Sequence, residues 1–365
     1  MSSGSIYSAS DKALFDAINQ ASVTASDLRE LFLRHGIVIS KSTSRRQLAF
    51  HFARLMHDFY DFETLAKIFE TPQRRERLSS MRFAGGLAMS DVEGAAHSVV
   101  AGLLDQNDSA SVVVQPDGTV KINVRYKRLH FNKSEFKQIE TKEAVITVEK
   151  EGDTFVVRGP QNDKVDEICS ELIGYLEEQS GKDIDLDRIE LSSYSTSANR
   201  VAFFRYLIDH VPGYKRSDVT DVYLFNPNKS RSAIDVISDD VGDGLVREED
   251  LDLGIHISSA SLKGGQVLES SELRAFFSRG FYISKIVWRA VEEGFDSDIT
   301  EFEAQFTEPE TCTHFSYLVR GYYEYLGNSE YSKHRKQLGS ATDREIGKLI
   351  EASARSAIKS LSEKK

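Results

Sequence analysis

The chain of 365 residues is 40% hydrophobic and 28% charged, and its formal net charge is −11. This length exceeds what one hydrophobic core supports, so two or three domains are expected, and the composition excludes a largely disordered chain. The negative charge excludes a surface that attracts nucleic acid or anionic lipid as a whole. Any such contact therefore requires a local basic patch.

The sequence indicates neither a membrane span nor a signal peptide. Apolar stretches fall short of the roughly 18 residues that a membrane span needs, and the first residues lack the layout of a signal peptide. The chain has two cysteines, Cys169 and Cys312, which fits a reducing compartment. We expect a soluble cytoplasmic protein with no membrane partner, in which Cys169 fills a core.

The first part of the chain is predicted to be helical. Apolar residues recur there at helical spacing, which predicts a basic helical domain over residues 1–85. Thr24 and Gly36 are placed to cap the two ends of a helix over about 25–35. Residues 86–108 are predicted to form a further helix and a linker.

A second predicted domain, 109–190, contains two hairpins and a helix. The first hairpin turns at Gln115-Pro-Asp-Gly-Thr119 and the second at Glu151-Gly-Asp153. Apolar residues from Val165 to Leu176 mark one face of the following helix, which Gly181 ends. The predicted order of elements is β-β-β-β-α.

The remaining chain predicts a third, mixed domain over 191–330 and a C-terminal helix within 331–365. Helices are expected at 200–211, between Ser270 and Gly280, and over the aromatic segment from His314 to Leu326. Strands are expected at 219–225, 233–237, 253–262, 281–291 and 299–306. The predicted fold class is therefore α+β multidomain.

One segment of the N-terminal region has the pattern of a binding module. Ala25-Ser-Asp-Leu-Arg-Glu-Leu-Phe-Leu-Arg-His-Gly-Ile37 is followed by Ser42-Thr-Ser-Arg-Arg-Gln-Leu-Ala49. Over Thr24 to Leu55 this resembles the SAP-type helix-extended-helix motif of DNA-associated proteins. The resemblance implies a first helix that ends at a glycine, an extended link, and a second helix that opens with basic residues.

Apart from the resemblance, the start of that second helix is suited to bind a phosphate, because it combines free backbone N–H groups, hydroxyls and cations. The candidate nucleic-acid-binding residues there are Ser42, Thr43, Ser44, Arg45 and Arg46. A second basic cluster contributes Arg74, Arg75, Arg77 and Arg82 if the helices pack as a bundle. The alternative is that the hydroxyls only cap the helix and the arginines are solvated or paired with nearby acids.

Two further patterns indicate metal chemistry. Asp117, Glu140 and Lys142 spell the PD...ExK pattern of a nuclease superfamily, in which the acids hold a divalent metal, although chance alone accounts for such a match. Asp239, Asp243 and Asp250 fit part of a calcium-loop template. The nine histidines show no metal-ligand spacing, so neither a metal nor another cofactor is predicted.

The leading hypothesis is a noncatalytic nucleic-acid-associated protein or accessory subunit, possessing two α+β domains that bind a protein partner or a second copy of the chain. DNA is the expected nucleic acid, and a bacterial antiviral defence system is the hypothesised context. One alternative is a metal-dependent nuclease. The other is an interaction protein whose acidic loop at 235–252, with eight acids and one arginine, meets a basic partner.

Overall fold

The structure is a computed structural model that describes most of the chain and confirms the α+β class, with helices beside a large antiparallel sheet. The residues described are 10–19, 23–69, 75–84, 86–106, 108–131, 136, 138–227, 259–294 and 296–363. The chain divides into two compact units. Of the described residues, unit 1 holds those within 1–75, 97–113 and 122–145, and unit 2 holds those within 76–96, 114–121 and 146–365.

The described residues form nine α-helices. They are α1 (Asp11–Ile18), α2 (Ala25–Arg34), α3 (Arg45–Phe52), α4 (Phe59–Phe69), α5 (Met89–Asp105), α6 (Asp163–Ser180), α7 (Ser197–Asp209), α8 (Ser271–Ser278) and α9 (Ser340–Ser362). The predicted helices over about 25–35 and 200–211, and the one between Ser270 and Gly280, are confirmed by α2, α7 and α8.

Thirteen strands accompany these helices within the part of the chain that the structure describes. They are β1 (Leu78–Phe83), β2 (Ser109–Val114), β3 (Val120–Leu129), β4 (Ile139–Glu151), β5 (Thr154–Pro160), β6 (Leu186–Arg188), β7 (Tyr214–Phe225), β8 (Ser259–Lys263), β9 (Tyr282–Glu292), β10 (Ile299–Glu308), β11 (Thr313–Tyr323), β12 (Tyr325–Gly327) and β13 (Glu330–Tyr331). The order β2, β3, β4, β5, α6 confirms the predicted β-β-β-β-α succession.

Unit 1 contains the four N-terminal helices, α1 to α4. The boundaries of α2 follow from its caps: the Thr24 side chain accepts from the Asp27 N–H, and the Asp27 carboxylate accepts from the Thr24 N–H. Gly36 follows the helix with φ of 70°, a backbone conformation that glycine adopts without strain. The apolar faces of the helices form one core, which includes Leu14, Ile18, Leu28, Leu31, Phe32, Leu48, Phe52 and Leu65.

Unit 2 is built on antiparallel strands in the order β5, β1, β11, β10, β9, β7 and β8, with β6 paired to β1. One face of these strands and the helices α7 and α9 form a single hydrophobic core. Its centre includes Trp288 and Phe302, whose rings stack with centroids 5.1 Å apart. Burying such large rings stabilises the unit.

Two predictions of helix are wrong. The segment around Leu78–Phe83 forms β1, although helices were expected up to residue 85. The aromatic segment from His314 to Leu326 contributes to β11, in which Phe315, Tyr317 and Val319 alternate into the core. The predicted strand at 233–237 and most of that at 253–262 lie outside the described residues.

Cys169 and Cys312 are both free and buried. Cys169 lies on the buried face of α6, as expected for a core residue, and burial raises the pKa of its thiol to about 12. Burial likewise raises the pKa of Cys312 to about 11. Both thiols therefore stay protonated and poorly reactive near neutral pH.

Candidate nucleic-acid interface

The helix-extended-helix arrangement in unit 1 is formed by α2, a nonhelical link over 37–44, and α3. Ser44 caps α3, since its hydroxyl accepts from the Gln47 N–H at 3.4 Å, while Gln47 Oε1 accepts from the Ser44 N–H at 3.2 Å. This capping box occupies the Ser44 hydroxyl. Ser42 is exposed and shares a hydrogen bond with Ser40, and Thr43 is half-buried.

The two arginines that open α3 have different surroundings. Arg45 is half-buried, and its Nη1 donates to the carbonyl oxygens of Val23 at 2.5 Å and Ile18 at 3.5 Å. Those bonds fix the end of α1 and the residue before the Thr24 cap. Arg46 is exposed and, among the described residues, has no hydrogen-bond or ion-pair partner.

The positive charge at the start of α3 is not compensated by an acidic residue of the same helix. Its first turn contains no acidic residue, whereas the first turns of α1 and α2 contain Asp11 and Asp27. The N-terminal end of a helix dipole carries partial positive charge, so Arg46 and the helix end attract the same anion. Lys41, in the link before the helix, is also exposed.

An aromatic ring lies next to these cations. Phe50, one turn after Arg46, is 50% exposed, and the two residues line a shallow surface hollow with Phe15, Ser44 and Gln47. The guanidinium of Arg54 lies 5.1 Å from the centroid of the Phe50 ring. An exposed ring with flanking cations is a surface on which an unpaired base can stack.

The residues of the second predicted basic cluster do not form a free cationic group. Arg74 lies outside the described residues, and Arg75 is exposed. Arg77 Nε donates to Glu303 Oε1 at 2.5 Å, and Arg82 Nη2 donates to Glu151 Oε2 at 3.1 Å. Because Arg77 and Arg82 are paired in unit 2, neither offers a free guanidinium to a phosphate, and the candidate contact that remains is the one at α3.

The predicted nuclease residues have local partners. Asp117 lies in the turn between β2 and β3, and its carboxylate accepts from the Thr119 N–H at 2.9 Å, a bond that lowers the pKa of Asp117. Glu140 in β4 lies 2.7 Å from the Nε2 atom of His130. Lys142 is also in β4. Asp239, Asp243 and Asp250 lie outside the described residues.

No pattern in the sequence indicated a charged array that lies in unit 2. Glu301 and Glu303 are 3% and 5% exposed on β10, on the face opposite Phe302. Five cations pair with these two carboxylates: Arg77, Lys285, Arg289, Arg320 and Arg335. The cations come from separate segments, so their spacing along the chain has no period that indicates the array.

Glu303 makes the stability of unit 2 sensitive to acid. Burial alone would raise its pKa, but the Lys285 hydrogen bond and the charges of Arg77 and Lys285 hold that pKa below its ordinary value. The stabilisation is therefore present above the unfolded-state pKa of about 4.3 and is lost as pH falls through the lower folded-state pKa. We expect Glu303→Gln to destabilise the protein at neutral pH and to flatten this acid dependence.

Thermal unfolding between neutral pH and about pH 3 measures the effect. Glu308→Gln is the matched control, because Glu308 is an exposed glutamate on the same strand. We expect the control to keep the wild-type pH profile. Identical pH profiles for Glu303→Gln and the wild type would contradict the assignment of acid sensitivity to Glu303.

No protein-family model matches the chain, and no curated protein is significantly similar to it in sequence. Among the helices described, none combines the length and the apolar character that crossing a bilayer requires.

Proposed function

We propose that this chain is a noncatalytic nucleic-acid-associated protein, or an accessory subunit, that contacts the nucleic-acid backbone through the start of α3. The observation that supports the proposal is the exposed guanidinium of Arg46 at the positive end of a helix whose first turn has no acid. A backbone phosphate is the anion that such an arrangement suits. DNA is the proposed nucleic acid because of the resemblance to SAP-type modules.

The proposed contact surface is small and follows one side of α3. Arg46 and Phe50 are four residues apart in the helix, and Arg54 follows four residues later, so Arg46 and Arg54 flank the exposed ring. Lys41 precedes them in the link. The surface therefore offers about three phosphate contacts and one stacking platform, which corresponds to weak, salt-sensitive binding.

Arg45 is excluded from the proposed contact surface, because its guanidinium donates to the carbonyl oxygens of Ile18 and Val23. Replacing it would disturb the packing of α1 on α3 as well as any binding. Loss of binding in an Arg45 variant would therefore leave the cause ambiguous. The decisive substitution is Arg46→Ala.

We expect Arg46→Ala to weaken the binding of a fluorescently labelled DNA duplex and to reduce the salt dependence of log K by about one unit. Fluorescence anisotropy titrations at several salt concentrations measure both quantities. The matched control is Arg29→Ala, which removes the same charge from an exposed position on α2. We expect the control to retain the wild-type salt slope.

Two outcomes would contradict the proposal. In the first, the wild-type protein binds neither DNA nor RNA at low salt; in the second, it binds with an affinity that does not change with salt. Equal losses of affinity in the Arg46 and Arg29 variants would place the contact elsewhere.

Phe50→Ala tests whether an unpaired base stacks on the exposed ring. Such a stacked base contributes about 1–3 kcal/mol to binding, and a duplex offers no unpaired base. We expect this variant to lose affinity for single strands alone.

A further inference from the structure

Three potential metal ligands converge in unit 1, and none of them belongs to the proposed contact surface on α3. His35 Nε2 lies 3.1 Å from Asp61 Oδ2, and His57 Nδ1 lies 3.4 Å from the same oxygen. All three atoms lie within 4.8 Å of one another. The Asp61 side chain is 10% exposed, and those of His57 and His35 are 13% and 19% exposed.

Hydrogen bonding around His57 leaves its Nδ1 atom as a lone-pair donor. His57 Nε2 lies 2.8 Å from the carbonyl oxygen of Phe52, which can only accept, so Nε2 carries the proton. In the neutral ring, Nδ1 then presents its lone pair to the carboxylate of Asp61. Neither Nδ1 of His57 nor Nε2 of His35 has a hydrogen-bond partner of acceptable geometry among the described residues, and both atoms are buried.

Even a proton on His35 Nε2, 3.1 Å from Asp61 Oδ2, would leave the lone pair of His57 Nδ1 facing the same carboxylate oxygen. Two such electron-rich atoms repel one another unless positive charge lies between them. A single metal ion satisfies all three atoms together. Ligand atoms of a tetrahedral zinc site, at about 2.0–2.2 Å from the ion, lie roughly 3.3 Å apart, which is close to both separations measured to Asp61 Oδ2.

We propose that His35, His57 and Asp61 form a binding site for a divalent first-row transition-metal ion, with His35 Nε2, His57 Nδ1 and Asp61 Oδ2 as ligands. Two imidazoles and one carboxylate are a donor set that zinc and its neighbours in the series accept. A fourth coordination position is left for water.

The surroundings of these ligands have the features of a metal site's outer shell. The Phe52 carbonyl orients His57, as backbone carbonyls do for metal-bound histidines. The Asp58 N–H lies 3.3 Å from Asp61 Oδ2 and orients the carboxylate. The ring of Phe52 packs against both histidines, with centroids 5.7 Å from His35 and 4.5 Å from His57.

A bound ion would join three segments of unit 1. His35 is the C-terminal cap of α2, His57 follows α3, and Asp61 lies in the first turn of α4. Because the ion binds the folded arrangement and not the unfolded chain, its binding stabilises unit 1. The site goes beyond the proposed nucleic-acid contact and does not depend on it.

The test uses the full chain after chelator treatment, titrated with Zn²⁺ by calorimetry and with Co²⁺ by visible absorption. We expect one tight equivalent of Zn²⁺, a Co²⁺ absorption band that Zn²⁺ abolishes, and a rise in the thermal midpoint with added Zn²⁺. His57→Ala and Asp61→Asn should each weaken binding by more than about tenfold. His51→Ala, at an exposed histidine on α3, should leave binding unchanged.

Wild-type protein that takes up no tight equivalent of either ion overturns the proposal. So does stoichiometric binding that survives in both His57→Ala and Asp61→Asn. Asp61→Asn preserves the shape of the side chain, and circular dichroism verifies that it folds. If it does not fold, the wild-type titration and the thermal shift decide the question without it. Neither measurement involves nucleic acid, so failure here leaves the proposed contact at α3 untouched.

Discussion

Replacing Glu351 with alanine is expected to lower the free energy of unfolding of unit 2 by about 3–5 kcal/mol. Glu351 is 1% exposed on α9. Arg158 Nε donates to both of its carboxylate oxygens at 3.0 Å, and the Tyr317 hydroxyl donates to Oε1 at 2.5 Å. The carboxylate thus joins α9 to β5 and β11 inside the unit.

The large effect follows from what the substitution leaves behind. Arg158 is 5% exposed, and burial works against its charge, but Glu351 and Glu151 raise its pKa above its ordinary range, so it stays charged. Burial, followed by the charge of Glu351, raises the pKa of Tyr317 well above its ordinary value. Alanine at 351 therefore leaves a buried guanidinium with fewer counter-charges and a buried phenol without its acceptor.

Trp288 is the single tryptophan of the chain and is fully buried in the core of unit 2, so its fluorescence in urea reports the unfolding of that unit. The matched control is Glu345→Ala, six residues earlier on α9, where the glutamate is 70% exposed and pairs with Lys348. We expect the control to change the stability by less than about 0.5 kcal/mol. Equal effects at the two positions would contradict the structural role of Glu351.

Elements whose ends are determined by neighbouring residues were predictable. The Thr24 cap and Gly36 define α2, and the turn at 115–119 joins β2 to β3. In each case the residues that determine the structure lie within a few positions of one another. Local chemistry is therefore sufficient there.

Elements determined by distant partners were not predictable. The aromatic residues in 314–326 fit both a helix face and an alternating strand, and pairing with β10 decides between them, since Leu318 lies opposite Glu303 and Tyr317 opposite Ala304. Likewise β1 forms between β5 and β11, which follow it in the chain by many residues. Tertiary pairing outweighs local periodicity in both segments.

In the candidate contact surface too, the features set by neighbouring residues were predictable and those set by distant residues were not. Its helix start at Ser44 was predictable from hydroxyl residues followed by arginines. The structural role of Arg45 was not, because its acceptor Val23 lies 22 residues earlier, and the Arg77 partner Glu303 lies 226 residues later. His35 meets His57 and Asp61 only because α2 and α4 pack in one core.

Gly321→Ala is expected to destabilise unit 2 by about 2–5 kcal/mol, because it combines backbone strain with a steric clash. Gly321 has φ of 136°, a conformation that residues with a side chain rarely adopt. A Cβ atom there would overlap the carbonyl oxygen of Lys336, which accepts from the Tyr322 N–H at 2.9 Å. The same substitution displaces Arg335, which pairs with the buried Glu301.

Gly327→Ala separates the two causes. Gly327 also has a positive φ, of 93°, but a Cβ atom there meets no other atom within 4 Å. Its substitution carries the backbone strain alone, about 1–2 kcal/mol. Trp288 fluorescence in urea measures both variants. We expect Gly321→Ala to cost more than Gly327→Ala by about 1–3 kcal/mol, the contribution of the clash. Equal costs would mean that the 335–336 segment moves aside freely and that Arg335 is not needed to hold Glu301.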